Sequence, residues 1–353
     1  MPGSSDDGRD AFPEADGDDS LQTDVRESNK LKISDEEVEQ LRSQLSEADS
    51  AQCDAAMIRR FIRACGGDHR QAVKRLHETL IWQAEERPSH LHCPACPKDA
   101  KSHYMQVVAF DRGRRPAIYS CLSIPTNHAL EDNRLHMISI FEQAIAVMPP
   151  GVEDWVWVLD MHGFGLKNID PRLAFAFLKV SAAHYPERLA QAYIVSAPRV
   201  FHGFWKTIAP FIDPKTKSKI WFGAFHKHGD NAKVRAALAK NMDGPTVDWF
   251  MREMEENRHK SVAKHKHYWY PDLAALARDP GSPAVAQARD RRLGMSHTGA
   301  HDFLGTEAYL AEIAGRPERL PPSVFAVADA TLPDKASHHP HFAKLHHRSP
   351  GSP

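Results

Sequence analysis

The stretch Tyr185–Phe222, YPERLAQAYIVSAPRVFHGFWKTIAPFIDPKTKSKIWF, holds a short apolar run at Ala192–Val195 and a second at Ile220-Trp221-Phe222. Runs apolar at every position suit strands buried on both faces, as in a parallel sheet covered by helices. Between them Val200, Phe201, Phe204, Trp205, Ile208, Phe211 and Ile212 recur at three- and four-residue spacing, while His202, Lys206 and Thr207 take the other side. On pattern alone this is a helix laying its apolar face on a core. Strand, helix, strand in that order is the repeating unit of an α/β fold.

Upstream the same alternation continues. Trp155–Leu159 is a further apolar run, followed by Asp160-Met161-His162-Gly163, and Pro171 opens a helix through Phe175, Leu178 and Val180. Before it, Leu135, Ile138, Phe141, Ile145 and Met148 hold helical register. Tyr104–Phe110 and Ala117–Leu122 are rich in β-branched and aromatic residues, and Asp111-Arg112-Gly113-Arg114-Arg115-Pro116 reads as the turn between them. The fold class is therefore α/β, with a mostly parallel sheet flanked by helices.

A helical unit precedes it. Ser34 with Glu37 has capping-box spacing, and Val38, Leu41 and Leu45 follow at helical intervals. A second helix over 54–64 carries Met57, Ile58, Phe61 and Ile62 on one face, with Arg59, Arg60 and Arg63 beside them, until Gly66-Gly67 breaks it. Asp68 caps a third, striped by Ala72, Val73, Leu76 and Leu80 and ending near Pro88. The organisation expected is an acidic disordered tail over 1–30, the helical unit over 31–90, the α/β domain over 91–255 and a C-terminal extension over 256–353. The extension is partly helical, with Tyr309, Leu310 and Ile313 in one candidate helix, and then rich in Pro, Ser and His.

The 353 residues carry a formal net charge of -1, so no global field draws the chain to nucleic acid. No apolar run approaches the ~18 residues of a spanning helix. The first 30 residues offer no apolar core for a signal peptide, and a cytoplasmic or peripheral place is expected. Five cysteines, an odd number, are read as reduced thiols rather than a disulfide framework.

The YPERL motif, the strand ending in Ala197-Pro198, Pro210-Phe211-Ile212-Asp213 and Thr216-Lys217-Ser218-Lys219-Ile220 stand in one order and spacing. In these the chain resembles the CRAL-TRIO family, which includes phosphatidylinositol-transfer proteins and carriers of retinal and tocopherol. Arg60-Phe61-Ile62-Arg63-Ala64 and Trp82 look like that family's helical unit, and the likeness covers roughly 34–230. It implies a lipid carrier, not an enzyme, with an apolar cavity and the bound lipid in place of any cofactor. It implies that Val200, Phe201, Phe204, Trp205, Ile208, Phe211 and Ile212 form a gate, and that Glu187, Thr216 and Lys219 meet a lipid headgroup. Partners implied are a phospholipid, first of all phosphatidylinositol, and a transient membrane surface, met by a monomer. A carrier of an isoprenoid-type lipid and a lipid-sensing adaptor that does not transfer remain as alternatives. One departure bears on the ligand: family members that bind phosphatidylinositol have a basic pair where this chain has Cys65-Gly66, leaving Arg59, Arg60 or Arg63 to supply a cation.

Other signals are weaker. Cys93-Pro94-Ala95-Cys96, near His90, His92 and His103, has the composition of a zinc or redox site. Its proline-rich linker setting favours a solvent-facing loop, so no metal is assigned and a thiol or zinc enzyme stays a third reading. Asp160 with His162 lacks a nucleophile, and no catalytic residue is assigned. Lys260, Lys264, His265, Lys266 and His267 beside Tyr268, Trp269 and Tyr270 read as a solvated helix end or as a membrane-docking patch.

Overall fold

A computed structural model describes residues 31–264, apart from 92, 97, 100 and 147. The acidic tail, the segment from His265 onward and the candidate helix at 300–314 lie outside the described residues.

The helical unit consists of α1 (Asp35–Arg42), α2 (Glu47–Gln52), α3 (Ala55–Ala64) and α4 (His69–Glu86). The Ser34 hydroxyl accepts from the Glu37 amide while Glu37 accepts from the Ser34 amide, completing the predicted capping box. Asp68 caps α4 as expected, by accepting from the Gln71 amide. Gly66 and Gly67, at φ 62 and 92, supply the left-handed turn that ends α3. Helix α2 escaped the sequence reading because it buries no side chain. Val38, Leu41, Ile58, Phe61, Ile62, Leu76 and Leu80 form a core of the unit's own.

A five-stranded sheet follows, in the order β1 (Met105–Phe110), β2 (Pro116–Cys121), β3 (Trp155–Asp160), β4 (Leu189–Val195), β5 (Ile220–Gly223). The first pair is antiparallel and the other three are parallel. Helix α5 (Leu130–Ala146) joins β2 to β3, and α6 (Pro171–His184) joins β3 to β4. Between β4 and β5 run α7 (Arg199–Ile208), a 3-10 turn at Ala209–Phe211 and the short α8 (Pro214–Lys217). The strand order advances one way, so right-handed crossovers place α5, α6 and α7 on the same face. The predicted single helix over 200–212 thus ends at Ile208, where Pro210 stops it.

The opposite face is covered by α9 (Ala232–Ala239) and α10 (Gly244–Asn257), followed by α11 (Lys260–Ala263). These were not read from the sequence, and the folded body continues through them. Trp249 meets Tyr119 edge-on at 5.6 Å, and the Asn241 amide donates to the Tyr193 hydroxyl at 2.6 Å. Arg258 makes a buried two-point bridge to Asp160, at 2.8 and 3.0 Å. Asp160 therefore serves as a structural anchor, its carboxylate also accepting from the His162 amide, the Tyr119 hydroxyl and the Cys121 thiol.

The helical unit docks on the α/β domain through α4 and α6. Trp82 stacks flat on His184 at 4.1 Å, and the Thr79 hydroxyl donates to the Ala183 carbonyl. Arg60 and Arg63 both reach Glu153, at 3.3 and 3.1 Å, while Arg59 pairs with Asp35. Of the arginines expected to be available to a headgroup, Arg60 and Arg63 are thus engaged in joining the two parts, and Arg59 in a pair within the helical unit.

Candidate functional site

Parallel register fixes which side chains share a face of the sheet. Val158 pairs with Tyr193, and Asp160 with Val195; Leu159 pairs with Ile194, and Ile194 in turn with Phe222. Alternation then puts Val156, Val158, Tyr193 and Val195 on the α9–α10 side, where all are buried. Leu159, Ile194, Ile220 and Phe222 point the other way, toward α7. They are as apolar as their counterparts, yet Leu159, Ile220 and Phe222 stay partly exposed. In β3 and β4 the α9–α10 side is closed at Val156, Val158, Tyr193 and Val195, whereas Trp157 and Leu159 on its twin are half-buried; β5, at the margin, is half-buried on both sides.

Helix α7 lies over this second face. Phe201, Ile208 and Ile212 are buried, Val200, Phe204 and Trp205 half-buried, and Phe211 is 66% exposed. Phe201 packs with Met161, Ile194 and Ala197 in a cluster distinct from the main core, bordered by Leu122, Phe164, Phe204, Trp205 and Phe222. Trp205 meets Phe222 at 5.3 Å, and Phe164 meets Phe201 at 5.6 Å. Helix α6 contributes Leu173, Phe175, Phe177 and Leu178, again apolar and only half-buried. Phe175 touches Phe211 edge-on at 4.9 Å. An isolated exposed apolar side chain is ordinary, whereas so many contiguous ones mark a surface that receives something apolar. Phe164 and the 80% exposed Leu166 belong to this rim and were not singled out from the sequence, although the His162–Leu166 turn sets both among glycines.

The expected headgroup residues gather at the N-terminal ends of β4 and β5, which parallel pairing brings side by side. Glu187 has φ 59, a left-handed conformation that costs a non-glycine residue ~1–3 kcal/mol and so must be held by its surroundings. Lys215 donates to Glu187 Oε1 at 2.7 Å, while Oε2 is buried with no hydrogen-bond partner. Lys219 Nζ donates to the Leu189 carbonyl at 2.7 Å. Thr216 donates its amide to Asp213, the cap of α8, and its side chain is partly exposed. Glu187, Thr216 and Lys219 are therefore brought to one edge of the sheet, with Lys215 as an unforeseen fourth member. Arg188, the next residue of YPERL, turns inward: its guanidinium donates to the Glu153 carbonyl at 2.7 Å, and burial pushes it down to about 9.

Residues 101–238 match the CRAL/TRIO domain model. The chain carries a CRAL-TRIO domain. Among curated relatives, phosphatidylinositol transfer protein PDR17 of Saccharomyces cerevisiae is 27% identical over 234 residues, covering 62% of this chain and 62% of that one. A CRAL-TRIO domain-containing protein of Schizosaccharomyces pombe is 27% identical over 47% of this chain and 16% of its own length. The phosphatidylinositol/phosphatidylcholine transfer protein SFH7 of Arabidopsis thaliana is 28% identical over 43% of this chain and 28% of its own. The chain thus spans less than two thirds of the length of each of these relatives. The mostly parallel sheet and its helices place the CRAL-TRIO domain in the fold class expected. Among the described residues no helix is long and apolar enough to cross a membrane.

The Cys93–Cys96 turn requires a correction. Expected to face solvent, it is buried, at 5% and 4% exposure, and packs with the main core. The linker folds back so that Ser102 donates to the Ala95 carbonyl and Thr126 donates to Asp99. Tertiary contacts, which linker composition does not reveal, turn it inward. All five cysteines are free thiols, as expected.

Proposed function

We propose that the CRAL-TRIO domain holds one lipid with its acyl chains between α7 and the open face of β3–β5, and carries it between membranes. The reading rests on the contiguous half-buried apolar side chains that α6, α7, Leu159, Ile220 and Phe222 present on the α7 side of the sheet. Burying a methylene is worth ~0.8 kcal/mol relative to water, but a bilayer hides it equally well, so exchange between the two hosts costs little provided water is kept out in transit. Helix α7 supplies that closure: its apolar side meets Phe222 and Phe164, its outer side carries Lys206 and Thr207, and no side chain caps its first turn. It swings outward at a membrane, where the exposed Phe211 and Leu166 meet the bilayer.

Phosphatidylinositol is the favoured cargo, in keeping with the names of several relatives. The unpartnered Glu187 Oε2 suits a ring hydroxyl that donates to it, while the ammonium groups of Lys215 and Lys219 and the Thr216 hydroxyl suit a phosphate. Organic extraction of purified protein followed by lipid mass spectrometry should return about one phospholipid per chain. Vesicle-to-vesicle exchange should follow in the same preparation. Protein that neither yields nor accepts lipid refutes the reading; binding without exchange reduces it to a lipid-sensing adaptor.

A further inference from the structure

Four metal-ligand side chains meet below the linker, away from the lipid face. Cys93 and Cys96 come from the turn, His103 from the residues leading into β1, and His136 from α5; all four are buried, and one ligand atom of each lies within 4.8 Å of the others. His103 Nδ1 is 3.4 Å from Cys93 Sγ and 3.3 Å from Cys96 Sγ, and His136 Nδ1 is 3.6 Å from Cys96 Sγ. Zinc bonded tetrahedrally at ~2.3 Å to sulfur and ~2.0–2.1 Å to nitrogen sets neighbouring sulfur and nitrogen ligands ~3.6 Å apart. The three separations match.

Hydrogen bonding alone accounts for this arrangement poorly. His103 Nδ1, in either tautomer, has one hydrogen-bonding site and faces two sulfurs, while its Nε2 is buried with no hydrogen-bond partner. A second observation points to a cation as well. His136 Nε2 lies 3.0 Å from the Met105 carbonyl, which can only accept, so Nε2 carries the proton and Nδ1 turns its lone pair toward the sulfurs. That is the outer-shell arrangement that orients a ligating histidine. The two imidazoles stack at 4.3 Å, with both Nδ1 atoms facing the cysteine pair.

We propose that Cys93, Cys96, His103 and His136 bind one zinc ion in a closed, four-ligand structural site. Two thiolates and two imidazoles in tetrahedral array suit this metal over hard, oxygen-seeking cations. With no position left for water or substrate, the ion fastens the linker between the helical unit and the sheet to β1 and α5.

The test uses the full chain. Metal analysis after purification without added zinc should find one more zinc per chain in the parent than in Cys93→Ser/Cys96→Ser; the difference matters because the other histidines of the chain's 22 offer loose sites. Cobalt added to metal-stripped parent protein should give the intense visible bands of a tetrahedral ion together with thiolate-to-cobalt charge transfer, and His136→Gln should weaken cobalt and zinc binding at least tenfold. Zinc content unchanged by the double substitution overturns the proposal. So does a cobalt derivative without thiolate charge transfer, a result read on the parent chain and independent of whether any variant folds.

Discussion

Replacing Arg258 with alanine removes both guanidinium donors from Asp160, a carboxylate that is fully buried. The same change deletes the bonds from Arg258 to Ser196 and to the Met254 carbonyl, and its contact over the Phe225 ring at 4.5 Å. Breaking a buried ion pair from one side costs ~3–5 kcal/mol, because the charge left behind has no water. Asp160 would keep the His162 amide at 3.0 Å and the Tyr119 hydroxyl at 3.3 Å, which places the loss near the lower end, about 3 kcal/mol. For a folded body of this size each kcal/mol moves the Tm by ~2–4 °C, so a fall of ~6–12 °C is expected. Calorimetry and urea unfolding measure it, and Asp160→Asn/Arg258→Met should recover most of the loss because no charge then stays buried. Lipid uptake by the protein that remains folded should be unchanged, since the pair lies on the sealed side of the sheet. A single variant within 1 kcal/mol of the parent refutes the reasoning.

Four further outcomes are expected. Phe211→Asp/Leu166→Asp should slow transfer between vesicles at least tenfold with the Tm unmoved, since both side chains are already exposed. Lys219→Ala should weaken phosphatidylinositol binding roughly 10- to 150-fold, the equivalent of one charged hydrogen bond at ~1.5–3 kcal/mol, with folding retained; equal affinity would place the headgroup elsewhere. Glu153→Ala leaves Arg60 and Arg63 without their carboxylate and should free the helical unit, seen as faster proteolysis between α4 and β1. His184 is lowered from 6.5 to about 4, chiefly by burial and then by Arg75, so the unfolded chain takes up its proton first. Stability from this residue is present above pH 6.5 and lost as pH falls from 6.5 toward 4. His184→Phe, which keeps a ring against Trp82, should flatten the pH dependence of unfolding in that window, and an unaltered slope would exclude His184 as its source.

Each strand was legible as an apolar or β-branched run, and the longer helices of the first two thirds because their stripes are regular, while α2, with no buried side chain, was not. Helices α9 and α10 carried signals as well: Asp243 caps α10, and Val247, Phe250, Met251 and Met254 recur at helical spacing. The cluster proposed to meet a headgroup came from likeness, but its proximity follows from physics, since pairing Ala192 with Ile220 must bring the residues before each strand together. Lys215 was missed because nothing local singles it out from Lys217. The partnership of Cys96 with His136, 40 positions apart, is set by how α5 crosses β1 and leaves no local trace. Burial of the Cys93 turn was misjudged for a related reason: proline in a linker reports backbone preference and says nothing of what packs above it.

The unequal covering of the sheet divides labour within one strand. Residues of β3 and β4 facing α9 and α10 are locked into permanent packing, while on the proposed function their neighbours serve a guest that comes and goes. Amides in these strands should resist solvent exchange whether or not a guest is aboard, whereas β5, short and at the sheet's margin, should exchange sooner when the guest departs. Under the proposed function, the molecule could then be emptied without coming apart, as repeated loading would demand.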